Sequence, residues 1–138
     1  MHIRPFERRD TDAVIALWQA RGLTRPWNDP LKDIERKLAV QPELFLVGEC
    51  DGRIVATAMG GYDGHRGSVY YLATSEQHAG KGYGAAILAE LERMLTTMGC
   101  PKITLLVRAE NDGVVKFYRR LGYEQHDSLS LGKRLIAD

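Results

Sequence analysis

The sequence predicts a mixed α/β fold, a sheet with helices on its faces, and three observations carry that prediction. Residues 43–75, ELFLVGECDGRIVATAMGGYDGHRGSVYYLATS, are strand-like runs broken by turn residues. After AGKGYG the period changes, and Ile87, Leu88, Leu91, Leu95 and Met98 recur at three- and four-residue intervals, as on a helix. Capping residues and glycine or proline stops punctuate the remainder.

The elements follow in order. HIRPF, residues 2–6, reads as a first strand. Asp10 or Thr11 caps a helix that carries Val14, Leu17 and Trp18 on one face and ends at Gly22. After the turn-rich TRPWNDP, Asp29 caps a second helix with Pro30 in its first position and Leu31, Ile34 and Leu38 as its stripe; Pro42 closes it. LFLVGE and RIVATAMGGY form a hairpin through Cys50-Asp51-Gly52, and SVYYLATS extends it to a three-strand meander. The helix after AGKGYG stops at Gly99 and Pro101, and KITLLV reads as a buried strand. Asn111 or Asp112 then caps a helix bearing Val114, Val115, Phe117, Tyr118 and Leu121 up to Gly122. HDSLSLGKRLI reads as a last strand. No repeat, low-complexity segment or linker divides the 138 residues, so a single domain over 1–138 is expected.

Composition narrows the function classes. Nineteen basic residues against eighteen acidic ones give a net charge of +1, which provides no whole-protein field for nucleic acid or an anionic membrane. MHIRPFERRD has no apolar leader core, and no apolar run approaches a membrane span, so a cytoplasmic location is expected. Cys50 and Cys100 stand alone, without a CxxC pair or histidines at ligand spacing; no disulfide framework and no metal site is expected.

AGKGYG, residues 79–84, carries the chemistry. A glycine-rich turn opening a helix aims unpaired main-chain N–H groups and the positive end of the helix dipole at an anion. A turn needing positive φ would use one glycine, and this loop has three at alternate positions. The P-loop pattern fails, because no Gly-Lys is followed by Ser or Thr. The dinucleotide fingerprint can be laid on Gly80, Gly82 and Ala85, but SEQH separates the loop from its strand, and no acidic ribose partner ends the next strand.

YYLATSEQHAGKGYGAAILAELE, followed by VRAENDGVVKFYRRLGYE, resembles the GNAT superfamily of acyl-CoA-dependent N-acetyltransferases, along essentially the whole chain. RPWNDP, GGYDGHRG and LSLGKRLI are similar to its small YpeA-type bacterial branch. The resemblance implies a central, mostly antiparallel sheet of six to seven strands flanked by about four helices. It also implies acetyl-CoA as acyl donor and a small-molecule or peptide primary amine as acceptor. By position, the diphosphate of CoA would meet Ala79, Gly80, Lys81, Gly82, Tyr83, Gly84 and Ala85; Ala79 departs from the usual Arg or Gln. Leu72 and Thr74, on the preceding strand, would contact the pantetheine arm, and one amide there would polarise the thioester carbonyl. Asn111 would contact the cofactor and Tyr118 would protonate the departing sulfur. That role suits a phenol near developing thiolate charge, and the competing reading of Tyr118 is a core aromatic.

The proton acceptor for the amine stays open. Relatives that acetylate protein N-termini carry a Glu where this chain has Leu106, which counts against that acceptor class. Asp63, His65 and Glu49 are candidates, as is a water held by Tyr70 or Tyr71, and each has an ordinary structural alternative. Trp27 and Arg25 are candidates for the wall of an acceptor pocket, with Arg25 pairing a carboxylate. Arg119, Arg120, Lys133 and Arg134 belong to solvated faces, one of them available to the nucleotide 3′-phosphate. No cysteine or serine has the context of an acyl-enzyme nucleophile, which favours direct transfer in a ternary complex. Two rivals remain, a non-catalytic acyl-CoA sensor and a nucleotide-binding oxidoreductase. Dimerisation through a sheet edge is undecided by the sequence.

Overall fold

The computed structural model describes residues Met1–Asp138. The chain divides into two compact units, Met1–Leu105 together with Asp138, and Leu106–Ala137.

In the first unit, β1 (His2–Pro5), β2 (Phe45–Cys50), β3 (Arg53–Tyr62) and β4 (Gly67–Thr74) form one sheet in that order. Every neighbouring pair is antiparallel. The β2–β3 hairpin turns on Asp51 (φ 50°) and Gly52 (φ +75°), the two left-handed residues that a tight hairpin matched to strand twist requires. Asp63 closes the next turn by accepting from the His65 and Arg66 amides, both at 2.7 Å.

Two helices precede β2. In α1 (Thr11–Ala20) the apolar spacing puts Val14, Leu17 and Trp18 on a buried face. Asp10, expected as a cap, instead accepts two hydrogen bonds from the Arg4 guanidinium, at 2.7 and 2.9 Å, and one from the Glu7 amide. In α2 (Pro30–Leu38) the predicted cap forms, with Asp29 accepting from the Leu31 amide at 2.9 Å. These helices and Phe6, Phe45, Val47, Met59 and Ala73 make one core layer. Phe6 stacks on Phe45, and Trp18 stacks on Tyr71 with centroids 3.8 Å apart, pairs worth about 1 kcal/mol each beyond the area they bury.

Successive strand residues face opposite sides of a sheet, so Gly60 faces away from the layer that takes Met59. There α3 (Tyr83–Thr97) packs, and a Cβ on Gly60 would collide with the Leu91 side chain. Glycine at 60 therefore lets the helix approach closely enough to bury Ile87, Leu88, Leu91 and Leu95.

The expected six to seven strands are not formed; the sheet has four. KITLLV contributes a single parallel bridge, Ile103 to Gly67, with the Gly67 amide donating to the Lys102 carbonyl at 2.8 Å and the Thr104 amide to the Gly67 carbonyl at 2.9 Å. HDSLSLGKRLI carries no strand. A strand-like apolar pattern does not by itself supply the partner that must satisfy the N–H and C=O groups. In the second unit the regular element is α4 (Asp112–Arg120), and Leu129, Leu131, Leu135 and Ile136 are exposed.

Candidate active site

The loop between β4 and α3 begins with a short 3₁₀ turn, Glu76–His78. Its chain direction then depends on Gly80 (φ +77°) and Gly82 (φ +78°), conformations that cost an L-residue about 1–2 kcal/mol. Gly82 is the N-cap of α3, and no side chain caps the helix. The main-chain N–H groups of Gly80, Gly82, Tyr83, Gly84 and Ala85 donate to no acceptor in the chain, since the first intrahelical bond belongs to Ala86, to Gly82 O at 3.0 Å. Those of Ala79 and Lys81 are committed within the loop, to Glu76 O at 3.1 Å and His78 O at 3.3 Å. Open space lies where Cβ atoms on Gly80 and Gly82 would stand. The result is a set of five uncommitted donors, on exposed Gly80 and Gly82 and half-buried Tyr83, Gly84 and Ala85, at the positive end of a fifteen-residue helix, suited to an anion with several oxygens.

The loop is braced from behind. The His78 ring stacks on Tyr83, and its Nδ1 is buried without a hydrogen-bond partner. The Cys50 Sγ lies 3.4 Å from the Tyr83 hydroxyl, and this pairing, followed by burial, raises the Tyr83 phenol above its ordinary value. Cys50 and Cys100 are free and half-buried.

Upstream, β4 leaves regular geometry where the sequence places the pantetheine contacts. Met59 pairs with Tyr70 and Thr57 with Ala73, so Tyr71 and Leu72 together stand opposite Ala58, a β-bulge. Tyr71 takes φ +52°, an unusual conformation for an aromatic residue. Three contacts hold it. Its ring stacks on Trp18, its carbonyl accepts from the Thr57 hydroxyl at 2.7 Å, and its own hydroxyl donates to Asp33 Oδ2 at 2.6 Å. Thr57 in turn accepts from the Trp18 indole at 2.9 Å, which satisfies a buried hydroxyl. Burial first, then the bond to Asp33, pushes the Tyr71 phenol well above the usual tyrosine range. Within the first unit, the edge of β4 away from β3 is paired at Gly67, leaving the stretch that holds Leu72 and Thr74 without a strand beside it.

In the second unit Asn111 is the N-cap of α4, and its side chain makes no capping bond. One helix face below, Tyr118 is buried, edge-on to Phe117 and Tyr123 at 5.2 and 5.3 Å. Its hydroxyl has no partner in the chain, and burial pushes its pKa up to about 12. The phenol therefore keeps its proton across the neutral range and is free to donate it.

The other candidates are mostly committed. Asp63 is the acceptor of its own turn, and those amide bonds hold its carboxyl below the ordinary range. Glu49 takes Arg4 Nε at 3.3 Å, beside a cleft of about 590 Å³ that runs along α1 past Ala16, Ile54 and Ser75. Leu106 is exposed. Arg25 folds onto its own loop, donating to Gly22 O at 2.7 Å and Thr24 O at 3.3 Å. Trp27 is 55% exposed. Asp33, which the sequence did not single out, is brought to the bulge by α2; nothing local in PLKDIERKL signals it. No helix is long and apolar enough to cross a membrane, and no group of three or more His, Cys, Asp or Glu is arranged to hold a metal ion.

Comparison with known proteins identifies the family. The model of the acetyltransferase (GNAT) family matches residues 12–123. An acetyltransferase of Pectobacterium atrosepticum is 54% identical over 138 residues, covering 100% of this chain and 98% of the relative. An acetyltransferase of Yersinia pestis (strain Pestoides F) is 52% identical with the same coverage. Among solved structures, AAC(6')-Iy in complex with the bisubstrate analogue CoA-S-monomethyl-acetylneamine superposes with a TM-score of 0.80 at 16% identity, over 98% of each chain. The chain belongs to the GNAT acetyltransferase family.

Proposed function

We propose that this member of the family transfers an acetyl group from acetyl-CoA to the primary amine of a small molecule or peptide, directly, in a ternary complex. The observation that carries the reading is the set of five uncommitted main-chain donors at Gly80 and Gly82–Ala85, which suits the diphosphate of CoA in number, charge and access. The solved relative holding a CoA-based bisubstrate analogue supports the same donor. Acetyl-CoA, when bound, supplies a thioester carbonyl open to attack by a neutral amine.

The residues of the chain then divide the work. The loop amides hold the phosphates, with the Lys81 side chain available as a further charge. Leu72 and Thr74, on the unpaired edge of β4, offer main-chain groups to the pantetheine amides, and the bulge turns one amide toward the acyl carbonyl. Asn111 contributes an amide side chain not used for capping. Tyr118 Oη gives its proton to the sulfur as the carbon–sulfur bond breaks, a role taken from the family resemblance and consistent with a protonated, unpartnered phenol. The reading retains a cytosolic, metal-free enzyme acting on neither nucleic acid nor membrane, with pairing of two copies open.

The test is thiol release from acetyl-CoA across a panel of primary amines. Intersecting initial-rate plots are expected for a ternary complex. Parallel plots would indicate a covalent acyl-enzyme. Acetyl-CoA binding without thiol release from any amine would indicate a sensor.

A further inference from the structure

We propose that Asp33 selects the acceptor, its carboxylate holding a second, cationic group of the amine substrate beside the bulge of β4. The inference deepens the acetyl-transfer reading and rests on it.

Asp33 Oδ2 lies 2.6 Å from the hydroxyl of Tyr71, the residue that forms the bulge with Leu72. A carboxylate on α2 is thus fixed against the stretch of β4 proposed to meet the acyl end of the donor. The Tyr71 bond uses one of the roughly four lone-pair sites of a carboxylate. Oδ1 is ion-paired with Arg36 at 3.9 Å, longer than a hydrogen bond, and the Asp33 side chain keeps 25% of its surface open to solvent. It can therefore accept from a ligand without breaking its bond to Tyr71.

The carboxylate itself favours a cation over an anion, in competition with Arg36 for Oδ1. Arg25, the guanidinium that would clamp an acidic acceptor, is committed to the Gly22 and Thr24 carbonyls. The attacking nitrogen must be neutral, so the group that Asp33 holds is a different one. The acceptor class is a diamine, or an amine bearing another fixed positive charge. Asp33 is a specificity residue and Tyr71 its positioning partner.

Three four-carbon probes separate the possibilities: 1,4-diaminobutane, n-butylamine and 4-aminobutyrate. The native chain is expected to show its lowest KM with the diamine. Asp33→Asn should raise that KM about tenfold or more, the scale of one charge-assisted hydrogen bond, and by a clearly larger factor than it raises the KM for butylamine. Tyr71→Phe, which keeps the ring on Trp18, should raise the diamine KM by a smaller factor. Calorimetric titration of 1,4-diaminobutane onto the CoA-bound protein gives a readout without turnover; binding is expected in the native chain and its loss in Asp33→Asn. Preference for 4-aminobutyrate, absence of diamine binding by the native complex, or an unchanged diamine KM in Asp33→Asn would overturn the proposal. Failure of the underlying acetyl-transfer reading looks different: the native chain would then fail to bind acetyl-CoA, or would bind it and release no thiol with any of the three probes.

Discussion

Phe45–Cys50 and residues 128–136 are both runs in which apolar residues recur at strand-like spacing, yet the first is a buried strand and the second carries none. Phe45, Leu46 and Val47 lie in the middle of a sheet with β1 on one side, β3 on the other and helices over both faces, so both the ladder and the side chains are satisfied. Leu129 and Leu131 are about 90% exposed, in a unit that offers no strand to pair with. The difference teaches that a strand is a property of a pair, whereas a helix such as α2 or α4 closes its own hydrogen bonds. The functional groups divide along the same line. In the proposed reading the first unit works through main-chain donors, set by glycine conformations, and the second through the side chains of Asn111 and Tyr118.

Variants that break this comparison differ widely in expected size. Tyr118→Phe removes only the phenol proposed as proton donor; it should lower kcat by roughly 10²–10³-fold and leave acetyl-CoA affinity within twofold, as read by thiol release and calorimetry. An unchanged kcat would return Tyr118 to the role of a core aromatic. Leu91→Ala opens a cavity under Gly60 in the first unit and should cost about 3 kcal/mol in denaturant unfolding.

Asp10→Asn weakens the buried bonds to Arg4 and should cost about 2 kcal/mol. Arg4 holds the Asp10 carboxyl below its ordinary range, so this contribution is present above the unfolded carboxylate value of about 3.9 and is lost as pH falls through the lower folded value. A native and an Asp10→Asn chain should therefore converge in stability on acidification, with the native chain losing the more. Leu131→Ala, in the second unit, should change stability by less than about 0.5 kcal/mol, because an exposed leucine leaves no cavity. A cost as large as that of Leu91→Ala would show that the exposed leucines are covered in solution.

What the sequence made legible was local. The Asp29 cap, the Asp51-Gly52 hairpin and the glycine loop each rest on neighbouring residues, and each is found where it was expected. The strand count rested on partners that pattern alone does not name, and it came out too high. The bulge at Tyr71 arises because two strands fall out of register, and Asp33 meets Tyr71 across 38 positions of chain; neither has a signature in its own segment. Asp10 was legible as a helix cap, but a distant Arg4 claimed it.

The central claim is that backbone amides of the first unit hold the diphosphate of CoA. Calorimetric titration with acetyl-CoA, CoA and NADPH, on the native chain and on a folded Gly82→Glu, Gly84→Glu double variant, tests it most directly. Micromolar binding of acetyl-CoA and CoA, absent for NADPH and weakened at least about 100-fold by two carboxylates at the helix N-terminus, is the predicted result. Preference for NADPH, or equal acetyl-CoA binding by both chains, would contradict it.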